Sequence, residues 1–119
     1  MIRAVLAAAA FAVGPVANAQ EAGSAPGALI RALDKVSGTT VDLDMAVGDT
    51  ERFGRIEVTL AECRYPADDP TGDAFAHVTV RDLTQDRVAF DGWMIATSPA
   101  LSALDHARYD VWVIRCSNS

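Results

Sequence analysis

Two histidines, two cysteines and a scatter of aspartates carry most of the chemistry that this 119-residue chain can offer. His106 follows Asp105 and shortly precedes Asp110, with Ser98 upstream in the same stretch. These are the residue types of a hydrolytic triad, in which an acid orients a histidine that activates a hydroxyl. The surroundings argue against one. No Gly-x-Ser-x-Gly elbow presents a serine, and Ser98 precedes Pro99, the pattern of a turn or helix cap. A metal centre needs three or four converging ligands, whereas His77 and His106 are far apart in sequence. Asp68, Asp69 and Asp73 are oxygen ligands suited to calcium, but they lack the Asp-x-Asp-x-Asp-Gly spacing and read as a solvated acidic loop. The expectation is no catalytic set, no metal and no cofactor.

The cysteines are read through the amino terminus. Arg3, the apolar run at residues 4–13 and the small residues Ala17-Asn18-Ala19 have the three parts of a cleaved secretory signal. Residues 1–19 are therefore expected to leave, and the chain to reach the periplasm with no membrane span after cleavage. Loss of Arg3 moves the net charge from −6 to −7. An acidic balance of this kind excludes a phosphate-backbone binder, so no nucleic acid is expected. In an oxidising compartment Cys63 and Cys116 have one internal pairing, a structural disulfide. Closing a loop of that length stabilises by on the order of 4 kcal/mol. Redox chemistry would call for a C-x-x-C spacing, which is absent from the sequence.

Residues 20–27 are small and polar with Gly and Pro, and read as a flexible leader before a single domain at 28–119. Residues 28–33 fit an edge strand or a helical turn. Beyond them a two-residue period takes over: Val41, Leu43, Met45 and Val47; Ile56, Val58 and Leu60; Ala76, Val78 and Val80. Val88 opens a further strand that Gly92 should bend or bulge. Residues 109–116 are apolar on both faces, as a central strand would be. The segments 65–73 and 98–108 are loops, the second holding one helical turn capped by Ser98. The predicted fold class is all-β, a small antiparallel β-sandwich or barrel of about six strands with one short helical turn. Cys63 falls on the Glu57/Thr59 side of its strand, which requires either a bulge or a second packed surface. Trp93 and Trp112 are expected to fill the core.

The residues from Phe90 to Leu101 (Phe-Asp-Gly-Trp-Met-Ile-Ala-Thr-Ser-Pro-Ala-Leu), with Leu33-Asp34-Lys35, Gly54 to Cys63, Leu104-Asp105-His106 and Tyr109 to Cys116, resemble an uncharacterised exported bacterial family catalogued as domain of unknown function 2155. Thr97 stands where that family would have serine, and Ala107 where it would have proline, a change expected to loosen the turn after His106. The resemblance implies export and a β-rich fold, and assigns no activity. Adjacent Asp34 and Lys35 should serve different neighbours. The apolar stretch at 93–101 leaves a strand for a loop and is the candidate contact surface, with Trp93, Met94, Pro99, Leu101, His106 and Tyr109 as its residues. The resulting expectation is a periplasmic, non-catalytic interaction or structural module with an envelope protein partner. The alternatives are an envelope hydrolase using His106 with Asp105 or Asp110, and a small-ligand binder using a barrel interior.

Overall fold

The structure, a computed structural model, describes residues 22–118; the signal peptide expected at residues 1–19 lies outside the described residues. Eight strands follow in order: β1 (Ala22–Ala25), β2 (Gly27–Asp34), β3 (Thr40–Ala46), β4 (Thr50–Phe53), β5 (Ile56–Pro66), β6 (Phe75–Asp82), β7 (Arg87–Ile95) and β8 (Tyr109–Ser117). A 3₁₀ turn occupies Pro99–Leu101. One antiparallel sheet has the order β1-β5-β6-β7, with β4 also paired to β5; the other has the order β3-β2-β8. The fold is all-β, as the alternation predicted. It has eight strands rather than about six, because β1 and β4, at four residues each, are too short to show a period.

Three local expectations are corrected. Residues 22–25, inside the expected flexible leader, form β1 and pair with β5 from Pro66 to Cys63. An edge strand needs only its backbone groups, so small residues suffice, and Pro26 then turns the chain into the second sheet. The segment from Tyr109 is an edge strand, and β2 takes the central position between β3 and β8. β8 looked buried on both faces because Trp112 and Ile114 lie on an outer face that also carries Leu29 and Leu33, all half-buried. Gly92 makes no bulge. The register shift in β7 falls at Ala89, and Gly92 pairs with Val78 while the Phe90 ring lies over its missing side chain.

The parity of Cys63 is settled by a bulge. β5 and β6 shift register between Leu60 and Glu62, leaving Ala61 unopposed, so Cys63 rejoins the inward row of Ile56, Val58 and Leu60. It forms a disulfide with Cys116 of β8, with Cα atoms 5.7 Å apart, and so joins one sheet to the other. Between the sheets lie Ile30, Met45, Val111 and Val113 on one side and Ile56, Val58, Leu60, Val78, Val80 and Met94 on the other, all fully buried. Burying each such side chain is worth about 1.5–3 kcal/mol. Neither tryptophan fills this core. Because Met94, Val111 and Val113 point inward, their neighbours must point out. Trp93 lies opposite His77 on one outer face, and Trp112 lies opposite Arg31 on the other.

Candidate functional site

Asp34 and Asp82 close strands β2 and β6, are both buried, and repeat one device. Each spends an oxygen on the turn that follows it. Asp34 Oδ1 accepts from the amides of Val36 (3.0 Å) and Ser37 (3.3 Å), and Asp82 Oδ1 from those of Thr84 (2.8 Å) and Gln85 (3.1 Å). These are Asx turns, in which the carboxylate stands in for backbone acceptors. Each also reaches across to the segment before β8. Arg108 donates to Asp34 through Nε and Nη2, at 3.2 and 2.9 Å to Oδ2, and His106 Nε2 lies 2.8 Å from Asp82 Oδ2. Lys35 adds its ammonium to the His106 carbonyl at 2.7 Å. Asp34 and Lys35 thus serve different neighbours, within one loop.

The second nitrogen of His106 is also in use. Nδ1 accepts from the amides of Arg108 at 3.0 Å and Tyr109 at 3.3 Å. Two donors aimed at Nδ1 make it the acceptor, so Nε2 carries the ring proton and donates it to Asp82. Tyr109 is buried below, its ring tilted against His106, and its hydroxyl accepts from the Arg55 amide at 3.0 Å. Gly54 permits that approach: it sits at φ +57°, and a Cβ there would come 2.5 Å from the Tyr109 hydroxyl. Asp34, Lys35, Gly54, His106 and Tyr109 all come from the stretches that carry the family resemblance, and they meet at this end of the sandwich.

The electrostatics follow the contacts. The Arg108 guanidinium, helped by the Val36 and Ser37 amides and opposed by desolvation, holds the Asp34 carboxyl down to about 2. The Asp82 carboxyl is lowered by the His106 ring and the Gln85 amide. Arg55, Asp82, Thr84, Gln85, His106, Arg108 and Tyr109 line a cleft of about 250 Å³ here.

This arrangement holds the residue 102–108 segment to both sheets, with both nitrogens of His106 engaged inside the fold. The carboxylate His106 bonds is Asp82, and no bond from its ring to Asp105 or Asp110 appears among the described residues. Ser98 precedes the 3₁₀ turn, but its hydroxyl makes no capping bond; its carbonyl accepts from the Leu101 amide instead.

The other candidates are not brought together. His77 lies on the outer face of β6, roughly 16 Å along the strand from Asp82. It bonds Asp91 at 3.0 Å and stacks on Trp93 at 5.2 Å, with the Arg64 guanidinium 5.4 Å from the same indole. Asp69 accepts from the Thr71 hydroxyl, while Asp73 accepts from the Ala74 amide and from the amide and hydroxyl of Thr97. Thr97 thus supplies the hydroxyl that serine would. Of the expected contact surface, Trp93 (38 % exposed), Pro99 and Leu101 (76 % exposed) are accessible, and His106 is half-buried. Met94 (1 % exposed) and Tyr109 (2 % exposed) are core residues and are withdrawn from it. The strand period decides this: Met94 is the inward neighbour of an outward Trp93.

Asp82, Arg108 and Arg55 did not stand out in the sequence. The legible signal for the first was the run Asp82-Leu83-Thr84-Gln85-Asp86 after an alternating strand, which matches an Asx turn. Nothing in the sequence pairs either aspartate with the 102–108 segment.

Comparison with known proteins gives a relative and a family. Over 90 residues the chain is 28 % identical to an uncharacterized protein of Rickettsia prowazekii (strain Madrid E), covering 73 % of this chain and 58 % of that relative. The match thus spans less than two thirds of the relative's length. No solved structure matches. Residues 28–116 match the bacterial family described as "Uncharacterized protein conserved in bacteria (DUF2155)", and the chain belongs to that family.

Proposed function

We propose that this protein is an exported, non-catalytic interaction or structural module of the cell envelope, working in the periplasm on an envelope protein partner. One observation carries the reading: both cysteines and His106 are committed to holding the fold. Both thiols are in a bridge between sheets, and His106 is bonded at both nitrogens. A cross-sheet disulfide belongs to an oxidising compartment, which supports export and signal cleavage. The accessible part of the apolar stretch, Trp93, Pro99 and Leu101, is the contact surface in this reading.

The test is photo-crosslinking in the native host, with the crosslinker at position 101 and, as a control, at exposed Val36. The expected result is one envelope protein captured from position 101 and not from 36, with capture competed away by co-expressed parent protein but not by its Leu101→Asp variant, whose Tm is unchanged. Equal capture from both positions, or none, would remove the contact surface. Unprocessed chain in the cytosol with both thiols open to alkylation would remove the compartment.

A further inference from the structure

The chain carries a net charge of −6, yet two arginines line one cleft that contains no carboxylate. Arg52, Arg55, Leu83 and Thr84 surround a surface cleft of about 290 Å³ where the β4–β5 and β6–β7 turns meet. Four of the other described arginines are paired with acids, Arg31 with Asp42, Arg64 with Glu62, Arg81 with Asp86 and Arg108 with Asp34, while Arg87 bonds Gln85 and Arg115 makes no salt bridge among the described residues. Arg52 and Arg55 also make no salt bridge among the described residues, although Glu57 lies across from Arg52 on β5. What sets this pair apart is that both line one cleft, a local concentration of positive charge in an acidic chain.

The cleft is also built. The two turns are tied by the Leu83 amide donating to the Arg55 carbonyl at 2.9 Å. The amide of Arg55 donates to the buried Tyr109 hydroxyl at 3.0 Å, which fixes the turn against the core. Nε of Arg52 donates to the Gly54 carbonyl at 2.9 Å, anchoring the guanidinium at one edge, and its terminal nitrogens make no bond among the described residues. The amide of Thr84 is held by Asp82, which places the Thr84 side chain at the cleft wall. A planar fork held in place loses little entropy when it binds an oxyanion.

We propose that this cleft is a binding site for an oxyanionic group, phosphate in preference to carboxylate, held by the guanidinium groups of Arg52 and Arg55 with the Thr84 hydroxyl as a further donor. Phosphate is favoured because its oxygens can take up two forks and a hydroxyl together, more donors than one carboxylate accommodates. The adjoining cleft, which shares Arg55 and Thr84, offers room for the remainder of the ligand. The site stands independently of the envelope reading above.

The experiment titrates the folded, oxidised protein with inorganic phosphate and, separately, with acetate, following arginine Nε–Hε and backbone resonances by NMR. Phosphate is expected to shift Arg52, Arg55 and Thr84 saturably, leaving salt-bridged Arg31 unmoved, and to bind more tightly than acetate. Arg52→Gln and Arg55→Gln, both at exposed positions, are each expected to weaken phosphate about tenfold with Tm unchanged. Raised salt should weaken it further. Shifts spread evenly over all arginines, or phosphate binding that survives both substitutions, would overturn the site. Acetate binding as tightly as phosphate would overturn the stated preference.

Discussion

Met94 and Leu101 lie in one stretch of sequence and have opposite surroundings, so alanine at each separates core from contact surface. Met94 faces the other sheet at 1 % exposure, while Leu101 is 76 % exposed on the 3₁₀ turn. Met94→Ala removes three heavy atoms from an apolar environment, about 2.4 kcal/mol at roughly 0.8 per group. If half of the vacated space persists as a cavity of about 40 Å³, a further term of about 1 kcal/mol follows. The expected loss is about 3–4 kcal/mol, a drop in Tm of roughly 15–25 °C for a domain of this size. Leu101→Ala should stay within about 0.5 kcal/mol. Urea unfolding followed by tryptophan fluorescence measures both, and an unchanged m-value shows that the lost stability is not a change in the surface exposed. A Met94→Ala protein as stable as the parent would refute the inward placement of this side chain and, with it, the register of β7 on β6.

Three further outcomes follow from the same structure. Replacing both Cys63 and Cys116 by alanine should cost about 4 kcal/mol for the 53-residue loop; because Cys63 is buried, reductant should open the bridge far faster in denaturant than in buffer, and equal rates would contradict its packing. Asp34 is held at about 2 against an ordinary value of 3.8, and Asp82 and Asp42 are also lowered, so the folded state binds fewer protons than the unfolded one. The stability these groups supply is present above about pH 4 and lost as the pH falls below it, for Asp34 through about 2, and Asp34→Asn should flatten that part of a pH–stability curve. Nitrogen NMR of the imidazole should show His106 with Nε2 protonated and Nδ1 bare; the opposite tautomer would break the account of how residues 102–108 are held.

The departure at position 107 is open to a similar check. Ala107 is exposed and lies between His106 and Arg108, whose amide bonds the His106 ring. No hydrogen bond of the Ala107 amide appears among the described residues. Proline at this position should therefore be accepted and should stabilise by about 0.4–1 kcal/mol through the unfolded chain. A loss of stability on urea unfolding would show that the turn relies on the freedom of alanine.

Local patterning determined a good deal by itself. Alternation at Val41 to Met45, Ile56 to Leu60 and Ala76 to Val80 fixed which side chains face inward, because a strand has a strict period of two. The export pattern and an even cysteine count pointed to the Cys63–Cys116 bridge, and the parity of Cys63 demanded a bulge or a second packed surface. Only the tertiary structure chose the bulge at Ala61, since a register shift depends on the partner strand. It alone placed both tryptophans outside and gave β2, rather than β8, the central position, because strand order is set by pairing between segments distant in the chain. It alone joined Asp82 to His106 and Asp34 to Arg108 and brought Arg52 and Arg55 to one cleft. Such contacts carry no local period: they arise where the ends of several strands meet in space, after pairing has brought together residues that sequence keeps apart.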